Sequence, residues 1–324
     1  MRRREFMMLL GAAGTWAQTV RAEQTMPVIG YLSAGTPDIF ASRVRSFREG
    51  LNGQGYVEGR NVAVDYRWTG DKYDELQAAA ADLVGRKVAL IIADGPAVDS
   101  AGPTTSTVPI IFWTNRDPVA AGWTTSLSRP DRNLTGVSGL GIGLGAKRLE
   151  LLHQIVRNAT IFAVLINPAS NPAAVQFQSN VQGAADSLGV KLHFLRASSD
   201  RDLDRAFARL RELRAGGLVI APDLFFLSRT GHIAAEALRQ AVPAAFQYRE
   251  FTAAGGLISY GTNVADPFKV IGSYAGRILK GEKVAELPVQ QATRIELIIN
   301  LRTAKTLGLD VPPDVVARAD EVIE

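Results

Sequence analysis

Ile161-Phe162-Ala163-Val164-Leu165-Ile166 is an unbroken apolar run. The turn-forming segment Asn167-Pro168-Ala169-Ser170-Asn171 follows it, then the alanine-rich stretch Ala173–Leu188 and a second β-type run, Lys191–Leu195. A short apolar run bounded by turn residues predicts a strand buried on both faces. Strand, helix and strand in that order predict a right-handed βαβ unit, and so a parallel sheet covered by helices.

The same alternation extends in both directions. Helix Ala146–Val156 precedes the unit. Helix Leu203–Arg214, strand Leu218–Ile220, helix Thr230–Gln240 and strands Ala244–Phe246 and Leu257–Tyr260 follow it. An earlier series begins with strand Val28–Leu32. Asp38 is placed to cap a helix carrying Phe40, Val44, Phe47 and Leu51 on one face, stopped by Gly53 and Gly55. Asn61–Trp68 alternates as a half-buried strand, and Asp71 is placed to cap Tyr73–Arg86. Val88–Ala93 and Ile110–Trp113 read as buried strands. Two such series predict an α/β chain of two Rossmann-like lobes with parallel sheets. Helix Asp266–Lys280 and strand Arg294–Asn300 are too few for a third domain. They must complete the lobes, which predicts a multi-crossover hinge beside a ligand cleft. The expected division is 23–138 with about 262–289 for the first lobe, and 139–261 with about 290–324 for the second.

The chain has 324 residues, 47% of them hydrophobic, with 36 Lys and Arg against 32 Asp and Glu, a net charge of +4. Much of that excess sits at the start. Arg2-Arg3-Arg4-Glu5-Phe6, the mildly apolar Met7–Ala17 and Val20-Arg21-Ala22 have the three regions of an export signal. Arg3-Arg4-x-Phe6-Met7 further resembles a twin-arginine address. Removing residues 1–22 takes away four arginines and one glutamate, leaving 32 positive and 31 negative side chains. Nucleic-acid binding needs a basic stripe, and none is left. With no cysteine there is no disulfide framework, thiolate metal site or cysteine nucleophile.

Ligands of open parallel sheets bind beyond the carboxyl ends of strands. That rule selects the loops from Ser33, from Asp94-Gly95-Pro96-Ala97 and from Trp113-Thr114 to Asp117. In the second series it selects those at Asn167, at Asp223-Leu224-Phe225 and at Tyr248. Their residues are small, polar and aromatic, without an acid–base pair. His153, His193 and His232 lack metal-ligand spacing. Gly141-x-Gly143-x-x-Ala146 matches a dinucleotide fingerprint, but no acid follows about 20 residues later to hold a ribose. No cofactor or metal is therefore expected.

Several blocks resemble one family. They are Gly55-Tyr56-Val57-Glu58-Gly59-Arg60-Asn61-Val62, Asp117-Pro118-Val119-Ala120-Ala121-Gly122, Asn133-Leu134-Thr135-Gly136-Val137 and Ala254-Gly255-Gly256-Leu257-Ile258-Ser259-Tyr260-Gly261. Ile278-Leu279-Lys280-Gly281 and the tail from Leu287-Pro288-Val289-Gln290 to Leu307-Gly308-Leu309 agree with them. Over about Val28 to Glu324 the chain resembles the ABC-transporter substrate-binding proteins of the TrpX-like family, with the type I periplasmic-binding fold. One departure is Arg129-Pro130-Asp131-Arg132-Asn133, where the family usually has Arg-Pro-Gly-Gly-Asn. The resemblance implies a periplasmic, monomeric receptor that closes on a small molecule and delivers it to an ABC permease and its ATPase. A sensing module with the same cleft, or an exported nicotinamide-dependent oxidoreductase, are the alternatives.

The expected ligand is an amino acid or related carboxylate with an aromatic or apolar side group. The amides of Gly95–Ala97 and the Thr114 hydroxyl are assigned to its carboxylate, and Asp223 to its ammonium. Trp113, Phe225 and Tyr248 are assigned to stacking, and Ser33 to a further hydrogen bond.

Overall fold

A computed structural model describes residues 26–324, so the export signal expected over residues 1–22 lies outside the described residues. The first series comprises β1 (Val28–Ser33), α1 (Pro37–Asn52), β2 (Ala63–Trp68), α2 (Leu76–Gly85), β3 (Leu90–Asp94), α3 (Ala97–Thr104), β4 (Ile110–Thr114) and β5 (Leu134–Ser138). The second begins with α4 (Gly145–Ile155), β6 (Ile161–Ile166), α5 (Ala173–Leu188), β7 (Lys191–Arg196), α6 (Asp200–Leu213) and β8 (Gly217–Ile220). It continues through α7 (Leu224–Ser228), α8 (Thr230–Arg239), β9 (Ala244–Phe246), α9 (Arg249–Ala253) and β10 (Ile258–Thr262). The last elements are α10 (Ala265–Leu279), β11 (Gln290–Gln291), β12 (Ile295–Asn300), α11 (Leu301–Thr306), α12 (Pro313–Val316) and β13 (Glu321–Ile323).

The strands form two sheets, ordered β11-β5-β4-β3-β1-β2 and β13-β12-β10-β9-β8-β6-β7. All pairs are parallel except β10 with β12. That exception follows from the path. β10 leaves the second lobe toward the hinge and β12 returns from it, so the two must run opposite ways. Among the described residues the chain crosses between the sheets at 139–144, 263–264 and 292–294. The third crossing lies slightly later than expected, because Gln290 and Gln291 pair with Val137 and Ser138 of β5 in the first sheet.

Some local expectations are corrected. Thr36, not Asp38, precedes α1, and Asp38 sits inside the first turn, where its charge favours the helix N-terminus. Asp71 does not cap a helix; it adopts a left-handed backbone (φ 72°) and sends its carboxylate to Arg229 and Ser228 of the other lobe. Sequence patterning also passed over α3 and β5. Gly102 and Pro103 interrupt the helical period of α3, and Gly136 interrupts the apolar run of β5. A Cβ at Gly136 would lie 2.1 Å from the Phe112 carbonyl of β4, so this glycine permits the pairing that it makes hard to read. In the charged turn near residue 130, Asp131 accepts from the Thr125 amide (3.0 Å) and the Thr124 hydroxyl (3.3 Å).

Helix α10 follows the second series yet packs on α1 and against β4 and β5. The two helices meet backbone to backbone. A Cβ at Gly50 would lie 1.9 Å from the Lys269 carbonyl oxygen, and one at Gly272 would lie 2.0 Å from the Phe47 carbonyl oxygen. Neither contact can be relieved by turning a side chain, so Gly50→Ala or Gly272→Ala must push the helices apart. Each substitution is expected to cost about 3 kcal/mol in denaturant unfolding. Gly85→Ala is the contrasting case: nothing lies within 4 Å of its Cβ position, and helix propensity predicts a gain of about 0.5–1 kcal/mol.

Candidate functional site

The parallel sheets present their carboxyl-terminal ends to each other across a cleft. From the first lobe come Ser33 ending β1, Asp94 ending β3 and Thr114 ending β4. The second contributes the loops after β6, β8 and β9. They border about 710 Å³ of space, part of it open to solvent. Gly95, Pro96, Trp113, Thr114, Asp223 and Tyr248 line it.

Asp94 is buried at the end of an otherwise apolar strand. Its Oδ1 accepts from the Ser33 hydroxyl at 3.1 Å, whereas its Oδ2 has no partner. Burial pushes the carboxyl up to about 7, against the opposing pull of the Ser33 hydroxyl and the Arg43 guanidinium. Arg43, on α1, is equally enclosed at 2% exposure. Its guanidinium lies between the rings of Phe40 (5.0 Å) and Tyr248 (5.3 Å). Nη1 donates to the Ile39 carbonyl at 2.7 Å, while Nη2 makes no hydrogen bond and only approaches Glu250, at 3.6 Å.

The structure sorts the residues expected to bind ligand. Asp223 lines the cavity, but its acceptor positions are occupied. Oδ1 accepts from Asn167 Nδ2 (3.0 Å) and the Phe225 amide (2.9 Å), and Oδ2 from the Tyr73 hydroxyl (3.0 Å) and the Ser170 hydroxyl. It is thus both part of the cavity wall and a junction that Tyr73 reaches from the opposite lobe. Asn167 serves that junction and does not line the cavity. Phe225 lies outside the cavity lining, and the Arg229 guanidinium covers its ring at 3.9 Å. Ser33 stands behind Asp94 and Ala97 is buried outside the lining, while Asp117 is exposed and accepts from the Val119 and Ala120 amides of its own turn. The three-amide carboxylate site shrinks as well. The Gly95 amide donates to the Trp113 carbonyl at 3.0 Å, and Pro96 has no N–H.

Contacts between the lobes run along the lip of the cleft. Arg229 Nη1 meets Asp71 Oδ2 at 2.5 Å, beside the Tyr73–Asp223 bond. At the hinge, a Cβ on Gly139 would lie 2.7 Å from the Trp113 ring, and one on Gly141 would lie 2.4 Å from Asn115 Oδ1. The glycines at 139 and 141 thus let the first crossover pass against residues of the site. Arg148, fully buried on α4, donates to the Gly141 carbonyl (2.6 Å) and the Tyr260 carbonyl (3.1 Å), tying that crossover to β10. Burial lowers its pKa to about 9, so it stays charged at neutral pH.

Sequence reading misses Arg43 and Arg148 and takes Asp94 only as part of its loop, although each carries a signal. Arg43 falls three residues after Phe40 on the apolar face of α1, and Arg148 falls among Gly145, Leu149 and Leu152 on that of α4. Asp94 ends a run of apolar residues. A charge on a buried face is the informative observation.

The described residues contain no helix long and apolar enough to cross a membrane. A conserved domain protein from Vibrio cholerae superposes with a TM-score of 0.84 at 24% identity, covering 92% of this chain and 99% of that one. The ABC domain of Streptococcus pneumonia in complex with L-Trp gives 0.81 at 20% identity, with the same coverage. These likenesses establish a type I periplasmic-binding fold. A tyrosine-binding protein of Clostridioides difficile is 26% identical over 267 residues, 82% of this chain and 76% of that protein. The profile of the ABC transporter substrate binding proteins matches residues 35–323, and the chain belongs to that family.

Proposed function

We propose that this chain is the exported, periplasmic receptor of an ABC importer and that its cleft holds an α-amino acid with an aromatic or apolar side chain. One observation carries the ligand class. Among the side chains lining the cavity, two buried polar atoms lack a partner: Arg43 Nη2 and Asp94 Oδ2. A buried cation and a buried anion with free valences ask for a ligand bearing both complementary charges. Arg43 takes the carboxylate, with the Thr114 hydroxyl beside it, and Asp94 takes the ammonium. Phe40, Trp113, Ile142, Leu224 and Tyr248 supply the apolar wall for the side chain. The tyrosine-binding relative and the L-Trp complex are consistent with that wall. Delivery to a permease and its ATPase follows from the family, and the paired arginines at the N-terminus favour the twin-arginine route.

Calorimetric titration with L-tyrosine and L-tryptophan tests the assignment. Asp94→Asn is expected to weaken binding about 100-fold, since it leaves a buried ammonium unpaired. Asp223→Asn is expected to lower the melting temperature more than the affinity. The reverse ranking would return the ammonium to Asp223.

The pH dependence has a definite sign. Asp94 is held near 7 in the ligand-free fold, above its ordinary value of 3.8. Its stabilising contribution is therefore complete below that ordinary value and is lost as pH rises through about 7. Ammonium binding needs the ionised form and so changes the other way. Between about pH 5 and about pH 8, ligand-free protein should lose melting temperature relative to Asp94→Asn, while its amino-acid affinity increases. An affinity that is flat across this interval would exclude Asp94 as the ammonium partner.

A further inference from the structure

A second cavity opens on the other side of Tyr248, which lines both spaces. It holds about 830 Å³, part of it open to solvent. Ser42 of α1 borders it from the first lobe, Gln247 and Glu250 border it from the second, and Thr262 with Asn263 brings in the second crossover. Two of its lining side chains are buried with polar atoms lacking any partner. Gln247 is 4% exposed with Nε2 unpaired, and Thr262 is 9% exposed with Oγ1 unpaired.

The charges around this cavity are already paired or solvated. Arg249 meets Glu321 at 2.5 Å and Glu296 meets Arg294 at 2.9 Å, while the Glu250 side chain is 43% exposed. A charged occupant would have to break into these pairs, so the cavity suits a neutral one. The Gln247 amide nitrogen only donates, the remaining Glu296 oxygen only accepts, and the Thr262 and Ser42 hydroxyls do either. A hydroxyl group can serve each of them in turn, and several such positions ask for several hydroxyls. We infer that the hinge cavity is a second binding site, distinct from the amino-acid cleft, for a small neutral polyhydroxylated molecule.

Xylitol added to the intact exported protein, with no amino acid present, tests this by saturation-transfer NMR. Saturable contact is expected, weakened about three- to tenfold in Thr262→Val and in Gln247→Leu, the effect of losing one neutral hydrogen bond. It should be unchanged in Asp94→Asn. Thr262→Val preserves side-chain shape and serves if melting curves show that Gln247→Leu does not fold. Two results overturn the proposal: no saturation with xylitol, which leaves the cavity to solvent, or a signal abolished by Asp94→Asn and kept in Thr262→Val, which places the polyol in the cleft. Neither result bears on whether the cleft takes amino acids, because none is present.

Discussion

The backbone contact of α10 with α1 is the constraint on which the rest of the molecule depends. Only Asn263 and Val264 separate β10 of the second lobe from helix α10, yet Gly50 and Gly272 let that helix lie directly on a helix of the first. Once it is docked there, the chain has to return for β12, so the hinge is crossed again and β12 enters antiparallel to β10. The docking also settles α1. That helix carries Phe40 and Arg43 into the cleft and Ser42 to the margin of the hinge cavity. A contact between glycines and carbonyl oxygens, distant from any ligand, thereby sets where the site's guanidinium stands.

Buried charge is used in three ways. Asp223 is neutral in its demands: four donors surround it, one of them Tyr73 from the opposite lobe, and it joins the lobes. Arg148 gives both terminal nitrogens to carbonyls, leaving only Nε without a partner, and joins the first crossover to β10. Asp94 and Arg43 are different, since each keeps an unpaired atom inside the cavity. Desolvation makes such atoms costly in an empty fold, and a complementary ligand relieves that cost when it binds. The proposed site is where a buried anion and a buried cation, each with an unpaired atom, line the same cavity.

The loops at strand ends were legible because parallel sheets force them to the cleft, and Gly95, Trp113, Thr114, Asp223 and Tyr248 all line it. Their individual roles were not legible. Asp223 and Asp94 are both acids near the ends of apolar strands, and nothing local distinguishes the one with four donors from the one with a free oxygen. The donors to Asp223 come from residues 73, 167, 170 and 225, and only the last is near it in the chain. Phe225 likewise reads as available for stacking, but the Arg229 guanidinium lies across its ring.

The alternation of strands and helices, the two series and the need for repeated crossing are legible in the sequence alone. These follow from local periodicity and composition, which act through neighbours along the chain. Only the packing of distant segments decides which charges are satisfied, that the β4 backbone demands glycine at 136, and that Arg43 turns inward to the cavity that Asp94 also lines. Those outcomes depend on burial and on hydrogen-bond partners far away in sequence, and desolvation is a property of the enclosed space and not of any stretch of residues.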